Sequence, residues 1–352
     1  MTKETFEILS NPKRIFSKML KDIDSAKSNI YLENYIYEHD EIGRAFRDAL
    51  VEKAKQGVKV KVLLDAWGTR LPKNYWMVLE SFGGEVRYFR QLQYAWRMIS
   101  VNHERNHQKL LLIDDKITYI GSSNITHRFI NWRELQLRLV GDKTEFFVKA
   151  FNGIWRNHTK LRIKRIARII YKDFEILQDL PSFVRKLTER RYIKLLKNAK
   201  REINIETPYL VPSFNLRRAF VKAVARGVKV RLILPYRSNW KIADIIRNRY
   251  LGFLSRGGVE IYYYNPRMLH SKLLIVDNKF FILGSSNLDY RSLRHNYEIN
   301  LLGKDKKIVL ELKKYFLNTL KDSSKFNYSA WKKRSSIVKV LELILGKVRG
   351  FV

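Results

Sequence analysis

The chain has 352 residues, enough for two domains of ordinary size, and its 45% hydrophobic and 29% charged residues are typical of a folded protein and not of a disordered one. Lysine and arginine outnumber aspartate and glutamate by 69 − 34 = 35, which favours a partner with a dense negative surface, either nucleic acid or an anionic membrane. The absence of cysteine excludes disulfides and thiolate chemistry, and the absence of any run of about 18 apolar residues predicts no membrane-spanning helix.

The first half of the chain predicts strands and helices in alternation. A β-rich run at 29–37 leads into a helix with apolar residues three and four positions apart, and Gly57 is its expected C-cap. A continuous apolar strand follows at 58–64, then a second helix, then a pair of strands that begins at His107. This alternation predicts an α/β sandwich with a mostly parallel or mixed sheet, covered on both faces.

The second half of the chain repeats the first. VEKAKQGVKVKVLLDAWG (51–68) aligns with VKAVARGVKVRLILPYRS (221–238) at an offset of 227 − 57 = 170. HQKLLLIDDKITYIGSSN (107–124) aligns with HSKLLIVDNKFFILGSSN (270–287) at an offset of 270 − 107 = 163. Because the same elements recur in the same order, the chain is two copies of one unit.

One stretch differs in length between the two copies. From Gly84 to His107 is 107 − 84 = 23 positions, whereas from Gly258 to His270 is 270 − 258 = 12. The extra segment in the first copy, around 90–106, is aromatic and basic. We interpret it either as a surface loop or as a lip for substrate or membrane beside the active site.

A basic connector joins the copies, and a basic tail follows the second. Ile163, Ile166, Ile169 and Ile170 have helical spacing, which predicts an amphipathic helix that either packs on the protein or lies on anionic lipid. The tail places a tryptophan and a basic cluster before an apolar run, which is typical of an interfacial anchor, although a docking helix has the same periodicity. We divide the chain into a first repeat (1–158), the connector (159–192), a second repeat (193–327) and the tail (328–352).

Each copy carries the same set of polar residues at the same spacing. A histidine is followed by lysine at +2 and aspartate at +7, and then by a Gly-Ser-Ser-Asn turn. In a strand, positions i and i+2 face the same side, so the histidine and the lysine can address one ligand together. The serine and the asparagine can donate hydrogen bonds to phosphate oxygens. The residues are His107, Lys109, Asp114, Ser122 and Asn124 in the first copy, and His270, Lys272, Asp277, Ser285 and Asn287 in the second.

Carboxylates complete the set. Glu134 and Glu298 follow their asparagines by 10 and 11 residues, and a carboxylate fixes the tautomer of a catalytic imidazole and stabilises its cation. Asp114 and Asp277 are expected to be structural, because an additional anion would repel a bound phosphate. His103 and His107 lack the helical context and the cysteines that would favour a zinc site. The other histidines without such company are His39, His127, His158 and His295.

The doubled His-x-Lys-x4-Asp motif, with its Gly-Ser-x-Asn, resembles the signature of the phospholipase D superfamily, over nearly the whole chain. Within that superfamily, four segments and the tail are similar to bacterial cardiolipin synthases. The segments are YIYEHDEIGRAFRDAL (35–50), IETPYLVPSF (205–214), MLHSKLLIVD (268–277) and SSNLDYRSLRHNYEINLL (285–302). The resemblance implies two tandem α/β/α sandwich repeats related by a pseudo-two-fold axis.

The resemblance also implies a two-step transfer without metal or cofactor. His107 is the expected nucleophile that forms a phosphohistidine, and His270 the expected acid and base. Lys109, Lys272, Asn124 and Asn287 are expected to neutralise the phosphate oxygens. One active site per chain follows, so a monomer suffices. The expected substrate is phosphatidylglycerol, at the cytoplasmic face of an anionic cell membrane on which the protein is peripheral.

Two other functions remain open at this point. A phosphodiesterase or nuclease of the same superfamily would use the same histidine and lysine pairs, and the charge of +35 favours it. A catalytically idle module that binds anionic membranes would not need the complete residue sets that both copies retain.

Overall fold

The computed structural model describes residues 4–89, 104–160, 169–181 and 186–347. Within these ranges the first repeat contributes four helices: α1 (Pro12–Asp24), α2 (Glu41–Lys55), α3 (Met77–Ser81) and α4 (Thr144–Trp155). The rest of the chain contributes six: α5 (Leu187–Asn198), α6 (Phe214–Ala225), α7 (Lys241–Arg256), α8 (Lys306–Lys321), α9 (Tyr328–Lys332) and α10 (Ser336–Lys347). None of the helices in these ranges has the length and apolar composition needed to cross a membrane.

Each repeat is built on one sheet. The described strands of the first sheet are β1 (Thr5–Leu9), β2 (Asn29–Asn34), β3 (Lys59–Asp65), β4 (Glu85–Phe89), β6 (Leu110–Ile113), β7 (Ile117–Gly121) and β8 (Gln136–Val140). Their order is β1-β8-β7-β6-β2-β3-β4. Strands β2, β3 and β4 are parallel, and all other neighbours in this sheet are antiparallel. The predicted α/β sheet is therefore confirmed, and it is mixed.

The second sheet repeats this arrangement and extends it. Its described strands are β5 (Arg105–Asn106), β9 (Ile169–Tyr171), β10 (Phe174–Asp179), β11 (Glu202–Glu206), β12 (Lys229–Pro235), β13 (Glu260–Tyr264), β14 (Leu273–Val276), β15 (Phe280–Gly284), β16 (Asn296–Gly303) and β17 (Ser323–Lys325). The order is β17-β13-β12-β11-β14-β15-β16-β10-β9, and β5 pairs with β16. Strands β11, β12 and β13 are parallel to one another, as β2, β3 and β4 are in the first sheet, and β5 is parallel to β16.

Both sheets are covered on two faces, as the apolar strands predict. One buried cluster joins the repeats, because it contains Leu63 and Phe151 from the first and Ile233 and Phe316 from the second. On the outer faces, α1 and α2 cover the first sheet, and α5 and α6 cover the second. The two sheets thus share an apolar interior that holds the repeats together.

The connector differs from the prediction. Ile169 and Ile170 lie in β9, which forms an antiparallel hairpin with β10, so the amphipathic helix predicted from their spacing is wrong at these positions. The physical reason is tertiary: β10 pairs with β16 from Phe174 to Asp179, and this ladder overrides the local spacing. Ile163 and Ile166 lie outside the described residues, as does 90–103 of the insertion predicted to be a loop or a lip.

The motif aspartates hold the ends of strands together. Asp114 has a φ of 54°, and its carboxylate accepts hydrogen bonds from the backbone N–H groups of Lys27, Ser28 and Asn29 at 2.7–3.1 Å. Asp277 does the same for residues 200–202 at 2.7–3.0 Å. Asp114 directly follows β6, and Asp277 directly follows β14. Both carboxylates therefore lie at the strand ends that are distant from the motif lysines.

We expect Asp114→Ala to lower the free energy of unfolding by about 1 kcal/mol, because three backbone N–H groups lose the carboxylate that accepts their hydrogen bonds. Burial opposes ionisation, yet the N–H donors hold the pKa of Asp114 below its ordinary value. This stabilisation is therefore complete above about pH 4 and is lost as the pH falls further. Asp115→Ala is the matched control in denaturant titrations, since Asp115 has a φ of 53° and is exposed. Equal losses in both variants would show that backbone strain is the cause.

Candidate active site

The two motif histidines lie at the contact between the two repeats. The backbone N–H of His107 donates to the carbonyl oxygen of Tyr297 at 2.9 Å, and that of His270 donates to the carbonyl oxygen of Arg133 at 2.8 Å. Strand β5, directly before His107, pairs in parallel with the start of β16. These reciprocal contacts are what an approximate two-fold relation between the repeats requires.

Each histidine takes its carboxylate from the other repeat. His107 Nδ1 lies 3.0 Å from Glu298 Oε1 and Oε2, and His270 Nδ1 lies 2.9 Å from Glu134 Oε1. A carboxylate at this distance requires a proton on Nδ1, which leaves Nε2 with a lone pair for a substrate. All four side chains are almost entirely buried. The crossed pairs make each repeat incomplete without the other.

The motif serines have a role different from the predicted one. Ser122 Oγ donates to Glu134, and Ser285 Oγ donates to Glu298 Oε2 at 2.5 Å. Both serines are fully buried, and neither lines the cavity beside the histidines. The prediction that these hydroxyl groups bind phosphate is therefore corrected: they hold the carboxylates that orient the imidazoles.

The motif lysines lie beneath the histidines. Lys109 Nζ donates to the carbonyl oxygen of His107 and Lys272 Nζ to that of His270, each at 2.7 Å. Burial lowers the pKa of Lys109 to about 8 and that of Lys272 to about 7, although Glu298 and Glu134 oppose the shift. Neither lysine lines the cavity, so its charge reaches a ligand through the protein interior.

Both histidines and both motif asparagines, Asn124 and Asn287, line one cavity of about 280 Å³. Burial lowers the pKa of His107 well below its ordinary value and lowers that of His270 to about 4; the motif lysines add to both shifts. The imidazoles are therefore neutral in the empty site at pH 7. A neutral imidazole with a free Nε2 is the form that attacks phosphorus.

The carboxylates differ in ionisation. Burial raises the pKa of Glu298 to about 7, although Lys109 and hydrogen bonds oppose it. For Glu134 burial acts in the same direction, but His270, Lys272 and Ser122 together outweigh it and lower the pKa. The two imidazoles therefore have carboxylate partners whose pKa values are shifted in opposite directions.

Aromatic walls around the histidines were not predicted from the sequence. Tyr35 packs edge-on against His107 at 4.9 Å between ring centroids, and Trp132 packs edge-on against His270 at 5.0 Å. Trp67, Tyr209 and Trp240 also line the cavity. A signal was present, because Tyr35 lies one residue after the parallel strand β2 and Trp67 two residues after β3, and the carboxyl ends of such strands commonly form ligand sites. Asp289 and Arg291 line the cavity as well, and both belong to the segment 285–302 that is similar to cardiolipin synthases.

Among the described residues, no group of three or more histidine, cysteine, aspartate and glutamate side chains is arranged to hold a metal ion. The chemistry that the cavity supports is nucleophilic attack by one imidazole and proton transfer by the other. The lysine and asparagine groups around them provide positive charge and hydrogen-bond donors for an anionic centre.

Comparison with known proteins agrees with this geometry. The family described as cardiolipin synthase, phospholipase D-like domain, matches residues 19–155 and 192–320. The major cardiolipin synthase of Bacillus subtilis is 30% identical over 96% of this chain and 73% of its own length. A cardiolipin synthase of Clostridium perfringens is 29% identical over 94% of this chain and 73% of its own length.

Solved structures share the fold. The phosphatidylserine synthase of Haemophilus influenzae superposes with a TM-score of 0.76 over 98% of this chain and 94% of that chain, at 15% sequence identity. At this identity the likeness concerns the fold alone. The family match covers most of both repeats, and the relatives are similar over almost the whole chain. The protein therefore belongs to the phospholipase D-like family of cardiolipin synthases.

Proposed function

We propose that this protein is a cardiolipin synthase, which transfers the phosphatidyl group of one phosphatidylglycerol to the glycerol hydroxyl of another and releases glycerol. The observation that carries the proposal is the pair of crossed His–Glu contacts at one cavity, His107 with Glu298 and His270 with Glu134. Such a pair supplies both groups that a double displacement at phosphorus needs.

In the first step His107 Nε2 attacks phosphorus. A bond from phosphorus to nitrogen forms, the bond to the glycerol oxygen breaks, and His270 gives that oxygen a proton. The anionic phosphodiester raises the proton affinity of His270, which is neutral in the empty site. In the second step His270 takes the proton of the incoming hydroxyl, whose oxygen displaces His107 from phosphorus. Lys109, Lys272, Asn124 and Asn287 stabilise the developing negative charge.

The second repeat lines the cavity with groups that suit an alcohol acceptor. Burial raises the pKa of the Asp289 carboxyl to about 6, and Asn239 and Ser292 lie on the same wall. Such groups accept and donate hydrogen bonds to the hydroxyl groups of a polyol. An ethanolamine lipid as donor needs no different machinery, since only the leaving alcohol changes.

The direct test is incubation of the purified protein with phosphatidylglycerol vesicles, followed by chromatography of the products. We expect cardiolipin and glycerol, with the same yield in the presence of EDTA. The second candidate is a phosphodiesterase or nuclease, favoured by the charge of +35. Phosphatidic acid as the main product would identify a hydrolase, and cleavage of DNA in preference to lipid would identify a nuclease.

The pH dependence of kcat/KM follows from the lysines. Their pKa values of about 8 and about 7 lie below the ordinary 10.5, so each ammonium group is charged at lower pH and neutral at higher pH. We expect kcat/KM for a short-chain soluble phosphatidylglycerol to fall about tenfold or more between pH 7 and pH 9. The decline in kcat should come at higher pH, because bound phosphate favours the charged lysines. A flat kcat/KM up to pH 10 would contradict this role.

We further propose that the tail holds the protein on the cytoplasmic face of an anionic membrane. Helix α10 packs inward through Glu342, which accepts a bidentate contact from Arg334 at 2.7 and 2.8 Å, and presents its large apolar residues to the outside. These outward residues are Ile337, Val340, Leu341, Leu343 and Ile344, which are 39–74% exposed. Lys332, Lys333 and Lys339 are exposed beside them. Arg334, which follows them in the basic cluster, is engaged by Glu342 instead of being free for lipid.

Replacing Ile337 and Ile344 together by serine should weaken binding to anionic vesicles about tenfold or more, because each large apolar side chain contributes about 1.5 kcal/mol when buried. Both side chains are more than half exposed, so the fold should be retained. Met77→Ser with Val78→Ser, at exposed positions of α3, is the matched control in vesicle sedimentation. If both pairs bind alike, α10 is only a docking helix.

A further inference from the structure

A second basic cavity lies beside the catalytic one. Its volume is about 320 Å³, and two segments of the second repeat, 209–211 and 289–294, contribute lining residues to both cavities. Tyr209 lines the catalytic cavity and Val211 lines the second; Asp289 lines the catalytic cavity and its neighbour Tyr290 lines the second. Because residues only one or two positions apart in both segments line the two cavities, the cavities are neighbours in the fold.

The second cavity carries excess positive charge. Lys186, Arg217 and Arg294 line it, and Glu189 is the one carboxylate among its described lining residues. The Arg294 guanidinium carbon lies 4.0 Å from the centroid of the Tyr290 ring, and the Arg294 side chain is 9% exposed. The nearest oxygen of Glu189 is 4.0 Å from its Nη2, which is too long for a hydrogen bond. Its Nη1 is buried and has no hydrogen-bond acceptor among the residues that the structure describes. A buried guanidinium donor without an acceptor is costly, which points to an anionic ligand.

The same place in the first repeat could not hold an anion. Helices α2 and α6 are equivalent, with Asp40 and Ser213 as their N-caps. Around Asp40 the first repeat has Glu38 and Glu41, which pair with Arg128 and His127, each at 3.0 Å. The second repeat has apolar residues around Ser213: Val211, Pro212 and Phe214. The first repeat therefore has a carboxylate for each of these two cations, whereas in the second repeat Glu189 alone lies near both Lys186, at 3.9 Å, and Arg294, at 4.0 Å.

An apolar surface adjoins the cavity. Phe214 is 58% exposed and Phe253 is 36% exposed, and the Arg217 guanidinium lies against both rings. Tyr250, which lines the cavity, belongs to the same apolar cluster as Leu345 of α10. The cavity thus opens beside apolar side chains that can receive acyl chains, which distinguishes a lipid from inorganic phosphate.

We propose that this second cavity binds the phosphodiester of the acceptor phospholipid, and so directs its free glycerol hydroxyl to the phosphohistidine in the catalytic cavity. This inference rests on the proposed function. Arg294 and Lys186 hold the acceptor phosphate while the hydroxyl oxygen bonds to the phosphorus on His107. The bond from phosphorus to nitrogen breaks, and the hydroxyl proton passes to His270.

The test measures how the enzyme divides its intermediate between two acceptors. Phosphatidyl-p-nitrophenol serves as donor, and short-chain phosphatidylglycerol competes with water. We expect Lys186→Gln and Arg294→Gln each to lower the ratio of transfer to hydrolysis by about tenfold to a hundredfold, as loss of a charge-assisted hydrogen bond implies. The loss should appear in the KM for phosphatidylglycerol. Lys222→Gln, an exposed cation on α6 outside the cavity, should keep the wild-type ratio.

Three results would overturn the inference. One is a wild-type ratio in both cavity variants. Another is an equal fall in transfer and hydrolysis, because that would indicate damage to the catalytic cavity or the fold. The third is that inorganic phosphate competes for the second cavity as effectively as the phospholipid does, which would make this a site for free phosphate.

A binding measurement separates this inference from the proposed function. Calorimetry of glycerophosphoglycerol with the His107→Asn and His270→Asn double variant requires no turnover. Addition of Lys186→Gln should weaken that binding about tenfold or more. If the wild-type enzyme makes no cardiolipin but this effect is found, the proposed function fails and the anion site stands. If the affinity is unchanged, the site itself is wrong.

Discussion

Replacement of His107 or His270 by asparagine should lower the rate of cardiolipin formation by about a thousandfold or more, since each imidazole acts in both half-reactions. The amide can still donate to the buried glutamate that His107 Nδ1 or His270 Nδ1 contacts, so the fold should be retained. His127→Asn is the matched control, because His127 is half-exposed and pairs with Glu41 away from the cavity. Steady-state assays on phosphatidylglycerol vesicles give the comparison. A loss of less than tenfold in either variant would remove that histidine from the mechanism.

Mixing the two inactive variants provides a further control on that result. Both histidines line one cavity within a single chain, so each inactive chain lacks one of the two groups. We expect the mixture to remain inactive, which would also support activity of the monomer. Restored activity would show that the repeats of different chains combine.

Replacing either crossed glutamate by glutamine should lower the rate by about a hundredfold or more, because the amide no longer fixes the tautomer of its histidine or stabilises its cation. The crossing makes the two effects different. Glu298→Gln acts on His107 and should slow the formation of the intermediate for every donor. Glu134→Gln acts on His270 and should lower the rate of intermediate formation much less when the donor is phosphatidyl-p-nitrophenol, because this leaving group needs no proton.

Stopped-flow release of p-nitrophenol measures the first step in both variants. Glu52→Gln, on the exposed face of α2, is a control for the loss of a carboxylate alone. If Glu134→Gln slowed p-nitrophenol release more than Glu298→Gln, the two histidines would have the opposite roles.

The repeats and their polar residues could be predicted from the sequence because both depend on local patterns. The spacing of two positions predicts that His107 and Lys109 lie together, and Lys109 Nζ indeed contacts the His107 carbonyl oxygen, although strand β6 begins only at Leu110. The duplicated spacing shows that the set recurs at His270. The exchange of Glu134 and Glu298 could not be predicted, because spacing along one chain does not reveal which repeat supplies a partner. That choice is made by long-range contacts such as the hydrogen bond from His107 N–H to Tyr297.

Two other differences between the prediction and the structure also arise from long-range contacts. The turn at Ser122 predicts a hydroxyl group that binds phosphate, but in the structure this hydroxyl group donates its hydrogen bond to the buried carboxylate of Glu134. Ile169 and Ile170 have helical spacing, but the pairing of β10 with β16 places them in a hairpin. In each case a partner distant in sequence outweighs a local preference.

The fold shows where part of the excess positive charge of +35 lies. Cations occur in the second cavity, through Lys186 and Arg294, and beside the apolar face of α10, through Lys332 and Lys339. Phosphates next to apolar chains are the surface of a membrane, whereas nucleic acid offers no partner for the exposed side chains of α10. This combination favours lipid over nucleic acid as the substrate.

The most direct test of the double displacement is to trap the phosphohistidine. The His270→Asn variant is mixed with phosphatidyl-p-nitrophenol labelled at phosphorus, rapidly quenched at alkaline pH, digested and mapped by mass spectrometry. The account predicts one acid-labile phosphatidyl group per chain, on His107, since the first step needs no proton with this donor while the second lacks its base. Label on another residue, or release of p-nitrophenol with no label on the protein, would contradict it.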